Sequence, residues 1–255
     1  WVIGESDLND PALVDRGVDA PAALDAVWSD DLHHALHVAL TGEHEGYYAD
    51  YEGWTDVARA LERVYVYDGR VSMHRGREHG APVGDRPRRA FVVGTQNHDQ
   101  VGNRATGDRL GAITDERRVQ AAAAIVLCSP FVPLLFQGEE WAASTPFLYF
   151  TDHTDVAVGA AVTSGRRREF ASFLAFADEV PDPQAVATFE ASVLDRAERD
   201  LEPHAGVLRW YRHLLELRRT HPALRTEGPE DTAASFHADV GAFVMVRGQR
   251  LMVVV

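Results

Sequence analysis

Short apolar runs alternate with amphipathic stretches along the 255 residues, the pattern of α/β architecture. Trp1-Val2-Ile3-Gly4 reads as a buried strand entered midway. Ser29 or Asp30 then caps a helix in which Leu32, Ala35, Leu36, Ala39 and Leu40 share one face, ended by Gly42. A second helix, from about Thr55, buries Val57, Ala60, Leu61 and Val64. Residues 68–89 read as a long polar loop before the strand Ala90-Phe91-Val92-Val93. Thr114-Asp115-Glu116 supply a cap and two acids to a helix that buries Val119, Ala122, Ala123, Val126 and Leu127. The run Phe131-Val132-Pro133-Leu134-Leu135-Phe136 reads as a strand apolar on both faces. Residues 142–204 form a long excursion with turns at Pro181 and Pro183. The last helix buries Val207, Leu208, Tyr211, Leu214 and Leu215 and closes on Arg218 and Arg219, near its negative dipole end. From about Ala233 the period falls to two, with Gly248-Gln249 as a hairpin turn.

Composition narrows the function classes. A net charge of −14 opposes phosphate backbones and anionic lipid, so neither nucleic acid nor a membrane is expected as partner. No apolar run approaches the roughly 20 residues needed to span a bilayer. The single cysteine, Cys128, excludes an internal disulfide framework and suits a reducing compartment. All 25 basic residues are Arg, a bias that composition alone assigns to the genome more than to function. The chain opens without an initiator Met and stops in Leu251-Met252-Val253-Val254-Val255, as if a strand were cut. It reads as a piece of a longer protein.

Polar residues gather where the apolar strands end: Glu5, Asp99 and Glu139-Glu140. In a (β/α)8 barrel such positions form the catalytic face. Carboxylates there, with no nucleophilic cysteine or phosphate-binding glycine loop, suit acid–base work on a neutral polar substrate such as a glycoside. Helix capping accounts for acids after strands equally well, so spacing alone leaves both readings open.

The motifs are more specific. Asn97-His98-Asp99 follows the strand from Ala90, and Gly4-Glu5-Ser6-Asp7-Leu8-Asn9-Asp10 follows the opening strand. Val27-Trp28-Ser29-Asp30-Asp31-Leu32-His33-His34, Gly46-Tyr47-Tyr48-Ala49-Asp50-Tyr51, Phe136-Gln137-Gly138-Glu139-Glu140-Trp141 and Pro146 to His153 come in between and beyond. Together these blocks resemble the malto-oligosyltrehalose trehalohydrolases among the α-amylase-type glycoside hydrolases, over nearly the whole chain. The resemblance implies the C-terminal half of a (β/α)8 barrel, strands five to eight, over residues 1–228. The beginning of a C-terminal all-β domain would follow in residues 229–255. Strands at Trp1, near Val27, at Phe91 and at Leu134 are then expected to lie parallel in that order.

The resemblance further implies that Glu5 is the general acid and Asp99 the carboxylate that stabilises the transition state. His98 would bind a sugar hydroxyl, with Trp28, Asp30, Asp31, His33, His34, Gln100, Asn103 and Arg104 contacting malto-oligosyltrehalose. Glu139 and Glu140 are assigned no catalytic role, and no cofactor or metal is implied. The family's nucleophile is an Asp after the fourth strand, in a block that would precede Trp1. This chain is therefore expected to hold about half of the site and to be inactive alone. Rival readings are an α-amylase or glycogen branching enzyme, and a non-catalytic carbohydrate-binding remnant. A metal hydrolase is the third, since His33 and His37 stand four apart near Asp30 and Asp31.

Overall fold

A computed structural model of the chain describes residues 1–15, 23–170, 180–226 and 228–255. In chain order the first elements are β1 (Ile3–Gly4), β2 (Ala26–Trp28), α1 (Asp31–Thr41), α2 (Trp54–Arg63), β3 (Arg70–Ser72), β4 (Arg77–His79) and β5 (Phe91–Gly94). Then come α3 (His98–Gly102), α4 (Leu110–Ile113), α5 (Glu116–Cys128), β6 (Val132–Leu134), α6 (Val156–Phe170), α7 (Val186–Ala191) and α8 (His204–Thr220). The chain ends in β7 (Thr232–His237), β8 (Ala242–Arg247) and β9 (Leu251–Val254). Two compact units result. One comprises Trp1–Thr95, Gln120–Leu134 and Trp210–Val255, the other Gln96–Val119 and Leu135–Arg209. Among the described residues no helix is long and apolar enough to cross a membrane.

In the first unit β1, β2, β5 and β6 form a parallel sheet in that order, as the sequence predicts. Trp28 stands opposite Val92 and Val92 opposite Val132, so these three side chains share one face. The other face presents Val27, Phe91 and Val93, all buried. α1 is buried round most of its circumference and stops at Gly42, whose φ of +75° suits glycine. In α2, Val57, Ala60 and Leu61 are buried as expected, with Val64 just beyond. α8 lies along α5: Trp210 Nε1 donates to Gln120 O at 2.9 Å.

Several expectations are corrected. Asp30 precedes α1 but its side chain makes no cap hydrogen bond. Asp115, rather than Thr114, caps α5, accepting Arg118 N at 3.0 Å. Arg218 serves a neighbour rather than its own helix, donating to Leu127 O and Ser129 O at 2.8 Å, where α5 ends. The opening strand is not buried: Trp1 is 90% exposed, and β1 has a single neighbour. β6 is shorter than the apolar run and likewise an outer strand, with Val132 36% exposed. Leu215 is exposed and Leu208 half-buried, because only the Val207–Tyr211–Leu214 stripe faces inward. Residues 142–204 contain α6 and α7.

The polar stretch 68–89 holds the antiparallel hairpin β3–β4, pairing Arg70 with His79 and Ser72 with Arg77. Its strands are too short and too charged to alternate visibly. Asp50 anchors its tip instead, accepting Ser72 Oγ at 2.5 Å and His74 N at 3.0 Å. β7, β8 and β9 form an antiparallel sheet. The hairpin turn falls at Gly248-Gln249 as predicted: their φ are 52° and 56°, and Arg250 N donates to Arg247 O at 3.1 Å, the type I′ pattern. The sheet packs on α2 through Trp54, whose ring lies 5.2 Å from that of Phe243. Arg247 is fully buried beneath it, and desolvation pulls its guanidinium down to about 10.

Gly80 leaves β4 at φ +73°, where an added Cβ would stand 1.9 Å from Tyr67 O. Backbone cannot yield as a side chain end can. Gly80→Ala should therefore destabilise the full-length gene product by about 1–3 kcal/mol in urea denaturation. An unchanged midpoint would contradict this packing.

Candidate functional site

Glu5 follows β1 directly and is exposed; Trp28 ends β2 and is half-buried. Both face a wide cavity of about 460 Å³, floored by Ile3, Val92, Val132 and Leu134. An indole and a carboxylate over an apolar floor suit a sugar ring, whose C–H face stacks while its hydroxyls hydrogen-bond.

A second, polar pocket of about 50 Å³ in the same unit is lined by Asp30, His34, Asp50, Tyr51, Arg75 and His79, among others. Asp31 forms its base. It is 5% exposed, and its two oxygens accept Tyr51 Oη at 2.7 Å, Val66 N at 2.6 Å, and Asn9 Nδ2 and Tyr67 N at 3.0 Å. Burial still pushes its carboxyl above the ordinary range. Asp31, expected to contact substrate, is surrounded by donors of the protein itself.

His33 likewise has partners within the protein. Buried, it donates from Nδ1 to Thr95 O at 2.6 Å, so Nε2 is left to accept Tyr48 Oη at 3.0 Å. His37 donates from Nε2 to Glu43 at 2.7 Å. With both nitrogens of His33 occupied, the zinc-type spacing with His37 has a structural explanation. His34 lines the polar pocket together with Asp31. Its Nδ1 lies 3.2 Å from Tyr51 Oη, which itself donates to Asp31, so His34 is the donor. Burial, with His37 and Arg75 nearby, pulls the imidazole down to about 3, leaving it neutral at physiological pH.

In the second unit α3 opens with a capping box: Asn97 Oδ1 accepts Asp99 N at 2.8 Å, and Gln100 Oε1 accepts Asn97 N at 2.8 Å. Gln100 is buried in that role. His98 and Asp99 point outward, 52% and 53% exposed, with His98 Nε2 at 3.3 Å from Asp99 Oδ1. Asn103 is exposed beyond the helix end, and Arg104 Nε lies 3.8 Å from Asp108. Nearby, Arg109 is buried, donating to Thr145 O at 2.6 Å and Gln137 O at 2.7 Å.

Asn9, Tyr51 and Tyr67 around Asp31 escaped the sequence reading, as did Arg109. Asn9 and Tyr51 lie inside the motif blocks, but nothing in their spacing signals that they meet one carboxylate.

No family model matches the chain. A protein of Salmonella typhimurium with a crystal structure at 1.4 Å, provisionally designated an alpha amylase, superposes with a TM-score of 0.86 at 38% identity. The alignment covers 95% of this chain and 42% of that one. The fold is thus that of the α-amylase-type glycoside hydrolases. The malto-oligosyltrehalose trehalohydrolase of Arthrobacter ramosus is 48% identical over 222 residues, 87% of this chain and 39% of its own length. That of Brevibacterium helvolum is 44% identical over 243 residues, 94% and 41% respectively. This chain belongs to the malto-oligosyltrehalose trehalohydrolase family and spans about two fifths of the length of these relatives.

The low proton affinity of His34 ties stability to pH. Below about 6.5 the unfolded chain takes up a proton that the folded His34, at about 3, refuses. Stability therefore falls as pH drops through that window, by about 1.4 kcal/mol per pH unit for this group. In the full-length protein, His34→Gln should shrink the loss of unfolding free energy between pH 7 and pH 5 by about 2 kcal/mol. Identical pH slopes for variant and wild type would show that His34 is not held neutral.

Proposed function

We propose that the protein to which this chain belongs hydrolyses the α-1,4-glucosidic bond next to the terminal trehalose of malto-oligosyltrehalose, releasing trehalose. The reading is supported by two exposed carboxylates, Glu5 and Asp99, each just beyond a parallel strand and each matching a family motif. In this reading β1, β2, β5 and β6 are strands five to eight of a (β/α)8 barrel over residues 1–228. Residues 229–255 open the β domain.

The mechanism is retaining. Glu5 protonates the leaving oxygen, an Asp supplied from outside this chain forms the glycosyl ester, and Glu5 then activates water. Asp99 stabilises positive charge at the sugar carbon, and His98 beside it binds a hydroxyl. Trp28 offers its plane to a pyranose, with Asp30, His34, Asn103 and Arg104 as further contacts. The substrate is neutral, so the acidic surface does not oppose it. The enzyme acts in the cytoplasm, and the chain alone turns nothing over.

The test uses the full-length gene product, offered malto-oligosyltrehalose and, separately, plain malto-oligosaccharides. Free trehalose should appear from the first only. Glu5→Gln should lower its release about 10²–10⁴-fold, and Asp99→Asn should also lower kcat severely. Trehalose release by Glu5→Gln at the wild-type rate would overturn the assignment.

A further inference from the structure

α3 presents His98 and Asp99 from a helix of five residues, too short to be stable by itself. The Asn97–Gln100 capping box closes its N-terminal end. Its other end is closed from a distance. Arg166 on α6, 8% exposed, donates from Nη2 to Gly102 O at 2.5 Å and to Arg104 O at 3.2 Å. Its Nη1 bonds Glu169 at 3.2 Å. The guanidinium lies 5.1 Å from the Tyr149 ring and 4.6 Å from that of Phe170, which restricts its aim. A cation at this end also complements the negative pole of the helix. Asp99 is joined to the same end by its own backbone, since Asn103 N donates to Asp99 O at 2.8 Å.

We propose that Arg166 is a positioning residue for Asp99, clamping the C-terminal turn of α3 so that the carboxylate keeps its reactive pose. The proposal rests on the role given to Asp99 above. Without the guanidinium, Gly102 O and Arg104 O lose their side-chain donor, and the last turn frays. The Asn103–Asp99 bond then passes that freedom to the carboxylate. Displacement by about 1 Å at a reacting group can cost about a hundredfold in rate.

Two variants of the full-length gene product test this. Arg166→Met keeps the apolar stem between Tyr149 and Phe170 but removes every donor. Arg166→Lys keeps the charge and a point donor. Arg166→Met should lower kcat on malto-oligosyltrehalose about 10–100-fold with KM within about threefold, and Arg166→Lys should recover part of the loss. A cationic iminosugar mimic of the transition state should bind Arg166→Met about tenfold more weakly, with malto-oligosaccharide affinity unchanged. Amides of residues 98–104 should exchange hydrogen faster in that variant. Wild-type kcat in Arg166→Met, or a loss confined to KM, overturns the proposal. If the wild type itself releases no trehalose, the role of Asp99 fails instead. Hydrogen exchange then decides the clamp, and unaltered exchange at residues 98–104 overturns it.

Discussion

The carboxylate of Asp31 receives four donors from three separate stretches of chain. Asn9 comes from the segment after β1, Tyr51 from the loop before α2, and the amides of Val66 and Tyr67 from beyond α2. Asp31 itself begins α1, immediately after β2. One buried side chain thus ties the ends of two parallel strands to the loops above them. Asn9 can reach it only with φ of 52°, and it donates to Tyr67 O at 3.1 Å as well. Burial raises the proton affinity of Asp31 while each donor lowers it. The carboxylate and its donors are therefore interdependent: losing it leaves several buried N–H and O–H groups unmatched, at about 1–3 kcal/mol each.

That constraint explains why acids after strands take different parts. Glu5, Asp30, Asp31 and Asp99 occupy comparable positions in the sequence, just beyond an apolar run. Asp31 is enclosed by donors and organises structure. Glu5 and Asp99 face outward, where a carboxylate can exchange protons or meet developing charge. What sets Asp31 apart is the set of donors that encloses it.

The helices were legible because their burial follows one stripe: Val57, Ala60 and Leu61 in α2, or Val119, Ala122, Ala123, Val126 and Leu127 in α5, need only local periodicity. The parallel strand order was legible through the motifs. The hairpin β3–β4 was not, because its three-residue strands are held by Asp50, some twenty residues away (|i−j| of 22 and 24). The exposure of Trp1 and Val132 follows from their place on the two outer strands, which an apolar run by itself does not reveal. In the candidate site the motif Asn97-His98-Asp99 was legible, but the internal hydrogen bonds of Gln100 and His33 were not. The partner of His33, Thr95 O, is 62 residues away, and no spacing rule reaches that far.

The absence of lysine gains a physical meaning inside the fold. Arg88, Arg109, Arg166 and Arg247 are buried and Arg218 half-buried, and all five donate to backbone carbonyls. Arg88 reaches Glu62 O at 3.0 Å and both Gly84 O and Arg86 O at 3.2 Å. Arg109 joins Thr145 O to Gln137 O, and Arg218 gathers carbonyls from Leu127, Ser129 and Phe131. These carbonyls lie at helix ends and chain reversals, where no amide of the same element is in reach. A planar guanidinium spreads its donors over three nitrogens and so bridges carbonyls on different turns; an ammonium directs its three from one atom. The cations therefore act as backbone clamps more than as partners of carboxylates. Such a clamp fixes direction as well as energy, because the fork aligns the segments it joins. In the proposed site Glu5 and Asp99 stand on or beside short elements, which need that kind of fixing more than added burial.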